Sequence, residues 1–405
     1  MNKKNFDPNN FPSPFKKAVP IMNKLQSSGF EVYFVGGSLR DLFLNVAIHD
    51  IDLATNALPL EVKKIFPHSF DTGIQHGTIT VVYHHENYEV TTFRNDGDYL
   101  DHRHPENVQF VRNLQEDLKR RDFTINALAM SPTGQIIDYY GGIDDLDAKI
   151  IRCVLNPYKR FEEDALRIFR AVRFTSQLDF KLETDTYLAL KEKVHLLANI
   201  SIERIHSEFI KMMLGNAWQK GIQIIEETNI AEFMPSIDPL KLVRLLKSTY
   251  KNVHFPNEEL IWATLFYFEI LPQNQISKVL AKWKTSNSVI KNVQEILLFC
   301  KNYEKGQRDY HLFYGLLREN IINGIFILRK FAELQLPDLI TNYDSLPIHQ
   351  LKDLAVSGSD LIQEANFTPG VDLGKMIKLI ESKVLKGELI NDHQQIIDFV
   401  KENHV

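Results

Sequence analysis

Residues 32–55 read VYFVGGSLRDLFLNVAIHDIDLAT. Apolar Val32 to Val35 predicts a buried strand, Gly36-Gly37-Ser38 a turn, Leu39 to Leu44 a short helix, and His49 to Ala54 a second strand. On that second strand Asp50 and Asp52 are two residues apart. Alternation puts both carboxylates on one face of the sheet while Ile51 and Leu53 face the core. Two neighbouring carboxylates on a rigid strand repel each other unless a cation sits between them. Mg²⁺, which takes hard oxygen ligands together with substrate phosphates, is the natural candidate. The glycines let backbone N–H groups approach an anion closely. Ser38 adds a hydroxyl donor and Arg40 a fixed positive charge. Singly, an Asp-x-Asp is usually a solvated edge and a Gly-Gly a tight turn. Their conjunction points to nucleotidyl or phosphoryl transfer.

The chain around this stretch has 405 residues, 44% hydrophobic and 24% charged, enough for two or more domains with cores of their own. No run approaches the roughly 18 apolar residues that span a bilayer. The opening MNKKNFDPNNFPSPF lacks an apolar signal core, so a cytoplasmic protein is expected. Cys153 and Cys300 stand far apart without ligand patterns, which argues against a disulfide framework or a zinc site. A net charge of −5 argues against general nucleic-acid binding. An RNA partner would therefore need local basic surface, as around Lys119-Arg120-Arg121 and in the C-terminal helices. No internal repeat or low-complexity segment is present.

In chain order, a helix is expected from Pro14 or Phe15 to about Ser28, and another from Leu58 to Phe66 with Pro59 in its first turn. GTITVVYH (77–84) and YEVTTFR (88–94) alternate across a short turn and predict a hairpin. Glu89 there faces away from Tyr88 and Val90. It is either a third carboxylate at the metal site or a solvated strand side chain. NDGDYLDHRHP (95–105) reads as a loop; its histidines lack acidic or cysteine partners at metal-ligand spacing. Val108 to Arg112 predicts a strand, and Asn113-x-x-Glu116 a capping box opening a helix that runs to about Met130. On that helix Asp122 and Asn126 share a face, Arg121 offers a bidentate fork for phosphate, and Asn126 can bond a ribose hydroxyl. Ile150 to Val154 predicts a last strand. From Pro157 onward the periodicity is helical, broken near Asn229, Pro235–Pro239, Pro256, Pro272, Pro337 and Pro347. The expected fold is an α/β head followed by an all-α remainder.

FEEDALRIFRAVRF (161–174) reads as one helix with polar residues at 164, 167, 170 and 173. Each three-residue step winds the row back by ~60°, so it spirals along the helix, as a ligand with base, sugar and phosphate at different heights requires. An ionised Asp164 only accepts hydrogen bonds and Arg167 only donates them. Cytosine and adenine both present an amino donor beside a ring-nitrogen acceptor, and so complement the pair. Uracil and guanine put a carbonyl where the amino group should be. Unpaired buried polar groups of that kind discriminate by ~10⁴ or more. Alternatively Asp-x-x-Arg is an exposed ion pair worth ~0.2–0.5 kcal/mol.

The order of these segments resembles the motifs of bacterial class II CCA-adding enzymes, tRNA nucleotidyltransferases of the DNA polymerase β superfamily. Residues 32–55 resemble the first motif, RRDFTINALAM (120–130) the second, DYYGGIDDL (138–146) the third, EEDALRIFRAVRF (162–174) the fourth and SIERIHSEFI (201–210) the fifth. The resemblance implies addition of C, C and A to the 3′ end of tRNA from CTP and ATP. Asp50 and Asp52 would hold Mg²⁺, with Glu89 a possible third carboxylate. Gly37, Ser38, Arg40, Arg121, Asp122 and Asn126 would contact the nucleotide, Asp164 and Arg167 its base, and Arg170 and Arg173 would add further contacts. It also implies a catalytic head (1–155), a neck (156–220), a body (221–300) and a tRNA-gripping tail (301–405). In the tail Ser357 to Leu361 and Lys375, Lys378, Lys383 and Lys386 are either phosphate contacts or a helix cap and a solvated face. The rivals are CC-adding, A-adding and polyadenylating relatives, or an RNA-binding protein without catalysis. The DGDYLDHR run (96–103) resembles the form that completes CCA. An appended HD phosphohydrolase is excluded, because the one His-Asp dipeptide is His49-Asp50.

Overall fold

A computed structural model describes residues 5–48, 50–96, 108–250 and 252–403. They form two compact units that divide between Met234 and Pro235.

The first unit opens with α1 (Ser13–Ser27), β1 (Val32–Val35), α2 (Gly37–Phe43), β2 (Asp52–Thr55), α3 (Pro59–Ile65) and β3 (Ser69–Gly73). Then come β4 (Thr78–Tyr83), β5 (Glu86–Thr92), β6 (Arg94–Asp96), β7 (Val108–Phe110), α4 (Leu114–Lys119), β8 (Leu128–Met130), β9 (Ile136–Asp138) and α5 (Gly142–Ala148). It closes with β10 (Ile150–Ile151), α6 (Pro157–Glu163), α7 (Leu166–Leu178), β11 (Lys181–Leu182), α8 (Thr184–Lys193), α9 (Ile202–Met213) and α10 (Trp218–Glu227). Seven strands make one mixed sheet in the order β3-β4-β5-β2-β1-β8-β9. β1 lies antiparallel between β2 and β8, and β2 runs parallel to β5. Phe11, Phe15 and Phe34 pack ring against ring where α1 covers the sheet, with centroids 4.7–6.0 Å apart. Behind them the core runs through Leu39, Leu53, Val90 and Ile125, all fully buried. An α/β head followed by helices is what the alternation of patterns predicts.

Four local expectations need correction. The second strand starts at Asp52, so Asp50 precedes it and the alternation argument does not reach that residue. The helix expected from Asn113 to Met130 stops at Lys119. A single 3₁₀ turn at Thr124–Asn126 follows, and then β8 pairs with β1. Residues 122–130 are buried without interruption, and such a run cannot hold the polar face of a surface helix. The helix expected over 161–174 breaks at Asp164, whose backbone is extended. Its carboxylate accepts the Leu166 N–H at 3.1 Å, the local capping bond that aspartate favours over helix continuation. The strand expected at Ile150 to Val154 shrinks to two residues, paired parallel with Lys181–Leu182 beyond Pro157. The loop expected at Asn95 to Pro105 lies mostly outside the described residues.

The described residues of the second unit form helices and no strand: α11 (Pro239–Leu242), α12 (Glu258–Tyr267), α13 (Ile276–Lys282), α14 (Asn287–Glu304), α15 (Arg318–Lys330), α16 (Leu339–Asp344), α17 (Gly358–Ala365), α18 (Val371–Leu385) and α19 (His393–Asn403). Trp262 and Trp283 meet at 5.0 Å in one core, each indole N–H donating, to Glu258 and to the Pro235 carbonyl respectively. Leu361, Ile380, Val384, Ile396 and Val400 form another, between α17, α18 and α19. Among the described residues no helix is long and apolar enough to cross a membrane.

Candidate active site

Register positions the carboxylates. Val35, the last residue of β1, pairs with Asp52, and Asp52 pairs with Glu89 on β5. Gly36 then turns the chain away with φ 77°, a conformation that L side chains avoid. A Cβ at that position would stand 3.2 Å from the Arg121 guanidinium and 3.3 Å from an Asp52 oxygen. The glycine thus opens the corner where a carboxylate and a fixed cation meet. Burial raises the Asp52 carboxyl above its usual range, and the negative charges of Glu89 and Asp50 push the same way against Arg121. Asp50, Asp52 and Glu89 offer oxygen donors only, a set that fits a hard divalent cation. Among the described residues no three His, Cys, Asp or Glu side chains converge into a formed metal cage.

These carboxylates open into a cavity of about 1040 Å³. Its lining includes Gly36, Gly37, Arg40, Asp50, Asp52, Arg121, Asp122, Asn126, Asp164, Arg167, Arg170 and Arg173. Eleven of the site residues read from the sequence therefore share one chamber: Gly37 and those from Arg40 onward in that series. Among the described residues eight arginines and Lys211 line it against four aspartates, so a chain of net charge −5 concentrates positive charge here. A second cavity, about 750 Å³, shares Asp50 and Asp52 and adds Glu89, Thr72, Thr80 and Asn87. Ser38 reaches neither lining. Its hydroxyl is buried and donates to the Val35 carbonyl at 3.1 Å, which closes the strand–helix turn. Glu89 is exposed and lines only the second cavity.

The cationic side chains are held by acids, of which the sequence singled out Asp122 but not Asp41, Asp117 or Glu208. Asp117, fully buried on α4, accepts from Arg120 at 2.8 and 3.0 Å and from Arg121 at 3.3 Å. Burial pushes its carboxyl up, but the two guanidinium groups outweigh burial and hold it below the usual range. Asp122 accepts from the Asn126 amide at 3.0 Å and from Arg170 Nε at 2.8 Å. There too burial is overcome, by Arg170 and the hydrogen bonds, and the carboxyl lies well below the usual range. Arg40 Nη1 donates to Asn126 Oδ1 at 2.9 Å while its Nε bonds Asp41. Arg173 Nε lies 2.9 Å from Glu208 on α9.

Asp164 and Arg167 flank the break between α6 and α7. Arg204 of α9 reaches the Asp164 carboxylate at 3.3 Å. The Arg167 guanidinium, buried on α7, donates to the Arg160 carbonyl, to Glu163 at 2.7 Å and to the Arg120 carbonyl at 2.9 Å. Those acceptors fix the plane of the fork. Glu208 was legible in outline: it interrupts the apolar face of a helix whose neighbours Ile205, Phe209 and Met212 are buried. A buried acid on such a face calls for a cationic partner.

Three family models match the chain: "Poly A polymerase head domain" over residues 32–152, "Probable RNA and SrmB-binding site of polymerase A" over 179–241, and "tRNA nucleotidyltransferase domain 2 putative" over 253–400. The CCA-adding enzyme of Ligilactobacillus salivarius is 43% identical over 97% of this chain and 98% of its own length. That of Enterococcus faecalis is 41% identical over 96% and 97%. Among solved structures, the Bacillus stearothermophilus CCA-adding enzyme in complex with CTP superposes with a TM-score of 0.83 at 35% identity, covering 97% of this chain and 98% of that one. A Thermotoga maritima CCA-adding enzyme complexed with tRNA shares the fold, with a TM-score of 0.61 at 21% identity.

Proposed function

This chain belongs to the family of CCA-adding enzymes, and from that premise we propose that it adds C, C and A to the 3′ end of tRNA, drawing on CTP and ATP without a nucleic-acid template. The observation that carries the reading is the sharing of one cavity by Asp164 and Arg167 with Asp50 and Asp52. A group that reads a base and a group that handles phosphate must face the same nucleotide.

The roles follow from the side chains. The tRNA 3′-hydroxyl attacks the α-phosphorus in line and pyrophosphate leaves. Arg40, Arg121, Arg170 and Arg173 bind and orient the triphosphate, with Gly37 permitting close approach and Asn126 meeting the sugar. Asp122 holds Arg170 and Asn126 in place. Asp164 accepts the amino group of cytosine or adenine, and Arg167 donates to the neighbouring acceptors. Asp50 and Asp52 would hold Mg²⁺, with Glu89 beside them. Bound there, it would lower the hydroxyl pKa and screen charge on the attacking and leaving oxygens. The second cavity, sharing the same acid pair, suits the incoming RNA end. We assign residues 1–155 to a catalytic head, 156–220 to a neck, 221–300 to a body and 301–405 to a tail that holds tRNA, the whole acting in the cytoplasm.

A run-off assay tests this on tRNA ending at its discriminator base. CTP alone should give two additions, and CTP with ATP three. Arrest after two additions in the full mixture would make it a CC-adding enzyme. Adenosine added only to RNA already ending in CC would make it an A-adding one, and a long homopolymer a poly(A) polymerase. No Mg²⁺-dependent product at all would leave a nucleotide-binding protein.

A further inference from the structure

Three guanidinium groups of the cavity converge on one aromatic ring. The Arg173 carbon lies 4.4 Å from the centroid of Phe174, that of Arg40 5.1 Å and that of Arg170 5.5 Å. Two of them come from α7 and one from α2, so the ring ties the base of the neck to the glycine turn of the head. Phe174 lines the cavity, yet is only 3% exposed. Phe123 clamps it edge to face, with centroids 5.7 Å apart and planes at 86°.

Like charges gathered this closely repel. Burial pushes Arg173 down to about 10, and Arg170 and Arg40 push the same way while Glu208 opposes them. Each arginine has a carboxylate of its own: Asp41 for Arg40, Asp122 for Arg170 and Glu208 for Arg173. The ring is the contact common to all three. The negative face of an aromatic quadrupole attracts cations without cancelling their charge. A fourth carboxylate would gather the arginines too, but would neutralise the field that an anionic ligand needs.

We propose that Phe174 is a positioning residue for the polyphosphate of the incoming nucleotide, its ring holding Arg40, Arg170 and Arg173 together as one cationic cradle. The inference rests on the nucleotidyl-transfer reading above and deepens it. The ring serves CTP and ATP alike, and base choice stays with Asp164 and Arg167.

Phe174→Leu keeps apolar volume and removes the quadrupole. Replacing Phe174 by mono-, di- and trifluorinated phenylalanine weakens the quadrupole stepwise at nearly constant shape. With Phe174→Leu, KM for CTP and for ATP should rise together by about tenfold, kcat should fall less, and the CTP-over-UTP preference should hold. Across the fluorinated series log KM should climb in step with fluorine number. Titration of inorganic triphosphate should weaken in parallel, and this readout needs no turnover. A fluorinated series that leaves KM and triphosphate affinity flat overturns the proposal even if Phe174→Leu fails to fold. Wild-type protein that binds triphosphate but extends no RNA would sink the transfer reading instead, leaving the titration series to judge the ring. Wild-type protein that binds no triphosphate overturns the cradle.

Discussion

The two units bury different things. Among the described residues seven charged side chains are buried, and six of them, Asp117, Asp122, Asp145, Arg167, Arg173 and Glu208, belong to the unit that ends at Met234. The unit from Pro235 buries Glu295 alone, satisfied by the Asn320 amide at 2.7 Å and the Leu317 N–H. Its other ion pairs, such as Arg318–Asp344 and Lys375–Asp372, stand in solvent, where they are worth little. Charge taken out of water is costly unless paired. A fold that keeps so much of it in one place is organised for something other than stability. The first unit holds a site and the second presents a surface.

The hardest test of that contrast is Asp52→Asn. It should reduce nucleotide incorporation on the order of 10³-fold, measured on trimmed tRNA with CTP. Because burial and its acidic neighbours raise the Asp52 carboxyl, its ionisation is less favourable in the folded state than in the unfolded chain. Its ionisation therefore opposes folding, and the opposition grows as pH rises from the unfolded value of ~3.9 through the raised folded one. The variant should match or exceed the wild-type melting temperature at pH 7, with any advantage fading below about pH 4. A large loss of stability would mean that Asp52 serves the fold.

Arg167→Ala comes next. The CTP-over-UTP preference should collapse by roughly 10²-fold or more while triphosphate affinity changes far less. The guanidinium also ties α7 to the Arg160 and Arg120 carbonyls, so the melting temperature should drop as well. An undiminished preference in folded protein would remove Arg167 from base reading.

Much of this was readable beforehand, and the part that was not has a common cause. The glycine turn and the switch to helices are local patterns and lie where the spacing put them, and Asp50 and Asp52 line one cavity although only Asp52 is on the strand. The continuation of α4 to Met130 failed because a fully buried segment carries no periodicity to separate strand from helix. The single helix over 161–174 failed because Asp164 spends its carboxylate on the Leu166 N–H. Asp117, Glu208 and Phe174 escaped notice for a third reason. Asp117 stands on α4 only three and four residues before the arginines it holds, just beyond that helix, but nothing in this spacing announces that it is buried. Glu208 and Phe174 act across 35 and 134 residues of sequence, on Arg173 and Arg40. Spacing reports neighbours along the chain, whereas a cavity is built from neighbours across it.

Asp122 gives the opposite pH signature to Asp52. With its folded carboxyl well below the unfolded value, its contribution is complete above ~pH 4 and is lost only as pH falls through the folded value. Asp122→Asn leaves Arg170 without its counter-ion, and should cost roughly 3 kcal/mol in denaturant titration. The cost should be constant from pH 8 to 5 and shrink below about pH 4. A cost that varied between pH 8 and 5 would mean that Asp122 does not stay ionised in the fold.

The smallest effect belongs to the second unit. Ser357 accepts from the Asp360 N–H through its hydroxyl, and the Asp360 carboxylate accepts the Ser357 N–H in return at 2.7 Å, a reciprocal cap on α17. That geometry already occupies the hydroxyl read from the sequence as a possible phosphate contact. Ser357→Ala should lower stability by about 1 kcal/mol and leave KM for full-length tRNA unchanged. Lys378→Ala on α18 has no such cap to lose, so any effect there should appear in KM for tRNA and not in melting temperature. If Ser357→Ala raised KM for tRNA at unchanged stability, the hydroxyl would belong to the RNA. The cap on α17 would then be part of the surface that holds tRNA, and not only a device that ends a helix.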